Sequence, residues 1–439
     1  MKVVHILPGS GGTFYCENCM RDSSLVRALR AEGHDVVLVP MYLPIYTDDR
    51  DVARDVPVFF GGINVYLQQQ VPFFRKTPRW LDALFDARWL LGLAARKAGA
   101  TRAAGLGKMT LSMLRGPDGN QAKELDRLTA WLGERGRPDV IHVSSVLLLG
   151  LAGALKEALG APVVFTAMDE DVWVDELEDA YPEACWAAMR EQARGVDAFV
   201  TVSDYYRRVI GERLAIPDEK LHVVRIGIDT DGYAPASADP SPPALGFLSR
   251  MGAGLGLDVL VDAFIALRER GRTPDLRLRA MGGATGDDRA FLDALRRRLA
   301  RHGLDGAADF LPELEREARI AFLKSVSVLS VPIPGGEAFG TFILEALAAG
   351  VPVVQPQAAG FTELVEITGG GLLYDPAAPA GLPDALERLL LNRDQARALG
   401  RRGREAVMER FTVQRMARET LDVYRRILPQ PGGPSTSAA

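Results

Sequence analysis

The chain has 439 residues, 47% of them apolar and 25% charged, with a formal net charge of -5. That length is too great for one ordinary core and sets two domains as the expectation. The mild acidity excludes bulk attraction to nucleic acid, and three cysteines exclude a disulfide framework.

The first element predicted is a strand at "VVHILP" (3–8), then a glycine loop, then a helix over "MRDSSLVRALRAEG" ending at Gly33. The glycine turn comes too early for a secretory signal. No run of about 18 apolar residues is found, so no membrane span is predicted, and the expected location is the cytoplasm. Cys16 and Cys19 form a lone C-x-x-C. A zinc site would need two further ligands, and no second pair exists, so no metal is expected and local packing is the favoured reading.

Further strands are predicted at 35–42, 63–68, 139–145, 162–169, 198–204 and 221–229, with a helix over "GLAGALKEALG". These are continuous apolar runs, which suit a parallel sheet covered on both faces. The stretch 71–136 lacks such runs and reads as a helical elaboration. Between Arg75 and Lys108 eight basic residues face two acidic ones, Asp82 and Asp86. A solvated helical cover is favoured there over weak peripheral membrane contact.

Residues 233–243, "YAPASADPSPP", read as a linker. A second α/β series follows, with strands at 244–250, 276–283, 308–311, 326–333, 351–357 and 370–376. The alternation predicts two doubly wound, Rossmann-like parallel-sheet domains facing each other across a cleft. The expected limits are 1–232, then the linker, then 244–412. The tail 428–439 is small, polar and Pro/Gly-rich, and is expected to be disordered.

The stretch "EAFGTFILEALAAG" (337–350) concentrates the chemistry. Gly340 and Thr341 read as a helix entry with Thr341 as a candidate cap, and Gly350 and Pro352 end it. Backbone amides at such an entry suit a phosphate. Glu337 and Glu345 would repel a phosphate but can accept sugar hydroxyls. The pattern proposes a sugar nucleotide; the bland alternative is a dipole-paired Glu345 with a solvated Glu337.

The segment resembles the signature of family-four retaining glycosyltransferases of the GT-B architecture: Glu337, Phe339, Gly340, Glu345, Gly350, Pro352, Val353 and Val354 all match it. The likeness extends to "PGSGGTFYCENCMRDSSLVRALRAEGHDVVLV", "VTVSDYYRRVIGERLAIPDEKLHVVRIGIDTDGY", "LGFLSRMGAGLGLDVLVDAF" and "GFTELVE", the last similar to the family's loop after the acidic helix. It implies a first domain for the acceptor, a second for the donor, and a helix at 413–427 crossing back to the first. It also implies that Glu345 binds donor ribose, that Glu337 faces the transferred sugar, and that Phe339, Gly340 and Thr341 line sugar and phosphate. Arg250 would hold the diphosphate, and Gly11 and Gly12 would let the first loop approach the donor. His142 and Asp169 are acceptor-side candidates.

Three departures stand out: Leu255 where the family carries a lysine on the diphosphate, and Ser144 and Met168 where histidines are common. They keep open an alternative, a catalytically weak or inactive GT-B protein that binds a sugar nucleotide or glycan. A sugar-nucleotide epimerase on the same architecture fits the motif density poorly. The resemblance implies no cofactor and no metal, a nucleotide diphosphate sugar as donor, and a sugar or lipid hydroxyl as acceptor.

Overall fold

The computed structural model describes residues 1–9, 15–43, 56–61, 65, 68–69 and 105–428. Among them two six-stranded sheets form, each paired in parallel. The first contains β1 (Lys2–Pro8), β2 (Asp35–Met41), β3 (Val140–Val143), β4 (Val163–Ala167), β5 (Ala198–Thr201) and β6 (Leu221–Val223), in the order β2-β1-β3-β4-β5-β6. The second contains β7 (Ala244–Leu248), β8 (Arg277–Met281), β9 (Ala308–Leu311), β10 (Val328–Leu329), β11 (Val353–Pro356) and β12 (Gly371–Tyr374), in the order β12-β11-β10-β7-β8-β9.

Every residue of β3, β4, β5, β7 and β11 is buried, which is why these strands read as unbroken apolar runs. Strand order reverses between β1 and β3 in the first sheet, and between β7 and β10 in the second. In open α/β sheets such switch points open a crevice beyond the carboxyl ends of the strands.

The helices end where their glycines predict. Ala152–Leu159 closes at Gly160, which takes a left-handed conformation (φ 60°) and donates its amide to the Lys156 carbonyl at 2.8 Å. The first helix, Glu17–Ala31, starts three residues earlier than predicted.

Four local expectations are corrected. Val65, Gln68 and Gln69 are helical, so the strand predicted over 63–68 does not form at the described positions. β10 is only two residues long. Beyond it the Ser330 hydroxyl donates to the Val354 carbonyl at 2.6 Å, and Pro332 and Pro334 have no amide to give a ladder. The "GFTELVE" segment lies in a helix, Ala359–Thr368, rather than a loop. The cap before residue 341 is Gly340 rather than Thr341, because the turn needs a positive φ of 101°.

Residues 233–243 carry no regular element. After β12 come three helices, Gly381–Leu391, Arg393–Arg410 and Val413–Ile427. The last packs on Glu17–Ala31 in the first lobe, and its start is tied to that lobe by a parallel bridge between Ile228 and Thr412. The expected glycine loop at Gly11 and Gly12, the tail from 429 onward and the basic stretch up to residue 104 lie outside the described residues. No described helix is long and apolar enough to cross a membrane.

Candidate active site

The loop 334–340 leaves the carboxyl side of β10 and delivers the Thr341–Ala348 helix. It can turn this tightly because of glycine. A Cβ on Gly340 would stand 2.9 Å from the Phe361 ring, and one on Gly360 would meet the Ala338 carbonyl at 2.0 Å. The Gly360 amide donates to the Glu337 carbonyl at 2.8 Å. The first lobe grips the same loop from across the cleft. Ser203 donates its hydroxyl to the Ala338 carbonyl (2.7 Å), and Asp169 Oδ1 accepts the Ala338 amide (2.6 Å). Asp169 therefore sits at the cleft beside Glu337, itself in a left-handed conformation (φ 61°) at the entry to a short helix.

Glu345, only 3% exposed, lies in the second turn of the Thr341–Ala348 helix. Its Oε1 accepts the Tyr233 hydroxyl at 2.5 Å and faces Arg319 Nε at 3.1 Å; its Oε2 accepts the Tyr15 hydroxyl at 2.6 Å. Burial, with the nearby Glu345 charge second, pushes both phenols well above their ordinary value, so both remain neutral donors. The buried carboxylate in this apolar helix is thus held by one guanidinium and two hydroxyls.

The amide that opens the helix is also engaged. Thr341 N–H donates to Glu17 Oε2 at 2.8 Å. Glu17 begins the first helix of the first lobe, and the amide of Tyr15, two residues before it, donates to the Gly282 carbonyl of the second lobe at 2.8 Å. Residues 15–17 therefore fill the second-lobe side of the crevice. The cavity left beside Glu345 has about 30 Å³, room for a water or two.

Three acids meet here. Burial lifts Glu17 to about 7, with the Glu345 charge adding and the Thr341 amide opposing. Burial also raises Glu337 well above the carboxylate range, helped by Glu17 and Asp169. Asp169 is raised likewise, by burial first and then by Asp171, Glu170 and Glu17.

Arg250 follows β7. Its Nε and Nη2 form a fork on Asp288, at 3.1 and 2.9 Å. Asp288 is itself fixed by the amide and hydroxyl of Thr285, both at 2.8 Å, so the guanidinium plane has a set orientation. Phe339 is buried against Phe411. Leu255, at the position of the family's lysine, packs against the apolar core.

His142 departs from its expected place on the acceptor side. It is 1% exposed, and both ring nitrogens are engaged: Nδ1 with the Tyr424 hydroxyl and Nε2 with Thr166 Oγ1, each at 2.6 Å. The ring points into the seat of the last helix because β3 is covered there. Burial, with His5 next, holds it well below its usual value, so it is neutral.

Sequence reasoning missed Tyr15, Glu17, Arg21, Asp22, Tyr233 and Arg319. The two positions that lack histidine surround Arg21, which donates to Ser144 Oγ and lies 3.7 Å from Met168 Sδ. Asp22 accepts the Ser144 hydroxyl at 2.5 Å and pairs with Arg21 at 2.8 Å. Burial pushes its carboxyl up, but Arg21 and His5 outweigh that and hold it below the usual range. The "MRD" of the first helix was the available signal, since charges on an otherwise apolar face need partners.

Two parallel-sheet lobes facing across a cleft, joined by a linker and a returning last helix, define the GT-B architecture. The family described as Glycosyl transferases group 1 matches residues 235–406, and the one described as Glycosyl transferase 4-like domain matches 23–227. The chain belongs to the group 1 glycosyltransferases. It is 30% identical over 316 residues to alpha-maltose-1-phosphate synthase of Mycolicibacterium smegmatis, covering 66% of this chain and 79% of that one. It is 28% identical over 318 residues to D-inositol 3-phosphate glycosyltransferase of a Nocardioides species, covering 66% and 68%. In fold it is similar to sucrose-phosphate synthase from Thermosynechococcus elongatus, with a TM-score of 0.71 at 17% identity over 97% of this chain and 99% of that one. It is also similar to Anabaena HepE in complex with UDP and glucose, with a TM-score of 0.70 at 15% identity over 97% and 99%.

Proposed function

We propose that the protein transfers a sugar from a nucleoside diphosphate sugar to a hydroxyl acceptor with retention of anomeric configuration. One observation carries this reading. The two oxygens of Glu345 each hold a hydroxyl, and the amide of Thr341 holds a carboxyl oxygen. Those are the two halves of a sugar nucleotide, ring hydroxyls and phosphate, and the protein's own side chains satisfy both in their place. The names of the relatives, several of them sugar transferases, and the UDP and glucose bound to HepE agree with it.

In this reading the donor displaces Tyr15, Glu17 and the Tyr233 hydroxyl. Its ribose hydroxyls take the Tyr15 and Tyr233 positions on Glu345, and its diphosphate meets the Thr341 amide. Arg250, fixed by Asp288, carries the leaving charge, together with the positive end of the helix. Glu337 faces the transferred sugar, with Phe339 and Gly340 shaping the loop around it. Asp169, already directed across the cleft onto the 338 amide, marks the acceptor side. The departing phosphate oxygen takes the acceptor proton, so no carboxylate pair at glycosidase spacing is needed. Neither a metal nor a cofactor is required.

Leu255 favours a second reading, a protein that binds a sugar nucleotide without turnover, because a cation that would help the leaving group is replaced by an apolar side chain. One assay separates the two. The purified protein is incubated with a panel of nucleotide sugars and simple acceptors, and nucleoside diphosphate release is followed beside a Glu345→Gln control. Release from one donor that the control lacks supports transfer. Saturable binding with no release from any donor supports the second reading. The anomeric proton signal of the product then decides retention.

A further inference from the structure

Residues 15–17 reach the donor side of the cleft from a turn that contains both cysteines of the C-x-x-C. Cys16 precedes the first helix in an extended conformation (φ -118°, ψ 98°) and is half-buried. Cys19 lies one turn on, buried, 3.9 Å from the Pro8 carbonyl. The two sulfurs are 3.0 Å apart. The residues either side of Cys16 are the two that occupy the donor groups: Tyr15 on Glu345 and Glu17 on the Thr341 amide. The third thiol, Cys185, is buried in the Tyr181–Ala193 helix.

We propose that Cys16 and Cys19 are a dithiol–disulfide pair whose oxidation fixes residues 15–17 on the donor site. The sulfurs need to approach by only about 1 Å to reach the bonded distance of about 2.05 Å. A small-molecule disulfide serves as oxidant. The Cys16 thiolate, the more accessible and placed at a helix start, attacks one of its sulfurs and expels a thiolate. Cys19 loses its proton to solvent and attacks the Cys16 sulfur of the mixed disulfide, expelling the second thiolate. Two protein thiols and one disulfide thus become one protein disulfide and two small thiols.

The coupling follows from the backbone. Because the helix begins at residue 17, a backbone movement that carries Tyr15 away from Glu345 turns about the dihedrals of residues 15 and 16. A ring closed between 16 and 19 contains the Cys16 ψ bond and the backbone of Glu17 and Asn18, and so stiffens the turn on which Tyr15 and Glu17 stand. Reduced protein therefore opens to a nucleotide, and oxidised protein keeps its plug. This rests on the donor site proposed above.

The test uses the full chain equilibrated in glutathione buffers of graded ratio, followed by alkylation, peptide mapping and calorimetric titration with nucleoside diphosphates. The expected result is loss of two hydrogens in the peptide that contains 16–19, with Cys185 still alkylated after denaturation. Nucleoside diphosphate binding should weaken about tenfold, within the usual range of coupling between sites, and recover with dithiothreitol. C16S and C19S should bind like the reduced protein and ignore the oxidant. Thiols 16 and 19 that both stay alkylatable, or oxidised protein that binds as the reduced protein does, would overturn the proposal. Should reduced protein bind no nucleoside diphosphate, the donor reading fails on its own. Hydrogen exchange at the Thr341 amide then decides the switch: slower exchange on oxidation supports it, and unchanged exchange overturns it.

Discussion

The two sheets share one topological idea and use their switch points in opposite ways. At the β1/β3 switch of the first lobe, Arg21, Asp22 and Ser144 bond to one another, His5 lies 3.4 Å from Asp22, and His142 bonds Thr166 of the same sheet and Tyr424 of the last helix. That crevice is cemented from within. At the β7/β10 switch of the second lobe, the Ala338 amide, the Thr341 amide and Glu345 take their partners Asp169, Glu17 and Tyr15 from the other lobe, while Arg250 is held by Asp288 of its own lobe. The difference singles out the second switch point, whose polar groups are completed from the other lobe, as the one proposed to take a ligand.

The largest effect expected from this contrast is on the second lobe. Glu337→Gln should slow nucleoside diphosphate release by on the order of a hundredfold to a thousandfold, as loss of a preorganised group at the reacting centre does. The melting temperature should stay close to that of the parent. A matched loss of stability would place Glu337 in the scaffold instead.

His142→Ala should do the reverse. It strands the Tyr424 and Thr166 hydroxyls and opens a hole in a covered sheet, at a cost of roughly 2–3 kcal/mol in urea unfolding. Nucleotide affinity of the folded fraction should change less than twofold. A large drop in affinity would return His142 to the site.

The third effect is pH-dependent. Burial lifts Glu17 to about 7 from an ordinary value of 4.5. The folded chain binds this proton more tightly than the unfolded one, so the contribution to stability is full below 4.5 and is lost as pH rises through 7. Glu17→Gln keeps an acceptor for the Thr341 amide and carries no charge. Its stability advantage over the parent should therefore grow between pH 5 and pH 8, by roughly 1–2 kcal/mol. Parallel urea curves for the two proteins at both pH values test the sign. The smallest effect expected is none: a chelator should leave the initial rate of donor turnover unchanged.

Much of this was legible in the sequence. The apolar runs at 3–8, 139–145 and 198–204 announced buried parallel strands, because strands covered on both faces leave no room for alternation. The eight-residue spacing of Glu337 and Glu345 placed one acid before a helix and one inside it. What surrounds Glu345 was not legible. Tyr15, Tyr233 and Arg319 stand 330, 112 and 26 residues away along the chain, and only the folded lobes bring them together. The 63–68 run misled because a stretch of only six residues fits a short helix of under two turns as well as a strand. Thr341 lost its capping role to Gly340, whose positive φ no sequence pattern stated. His142 kept its place on β3, but the side of the sheet it serves was fixed by a helix 282 residues later.

That last bond has a bearing on how the molecule is made. His142 leaves the ribosome early, yet the phenol that completes its ring arrives with the final helix. Until Tyr424 emerges, the seat between Thr166 and His142 stays open to water, however complete the strands beneath it. The earliest sheet is therefore sealed at His142 only with the last helix in place, 282 residues further along the chain.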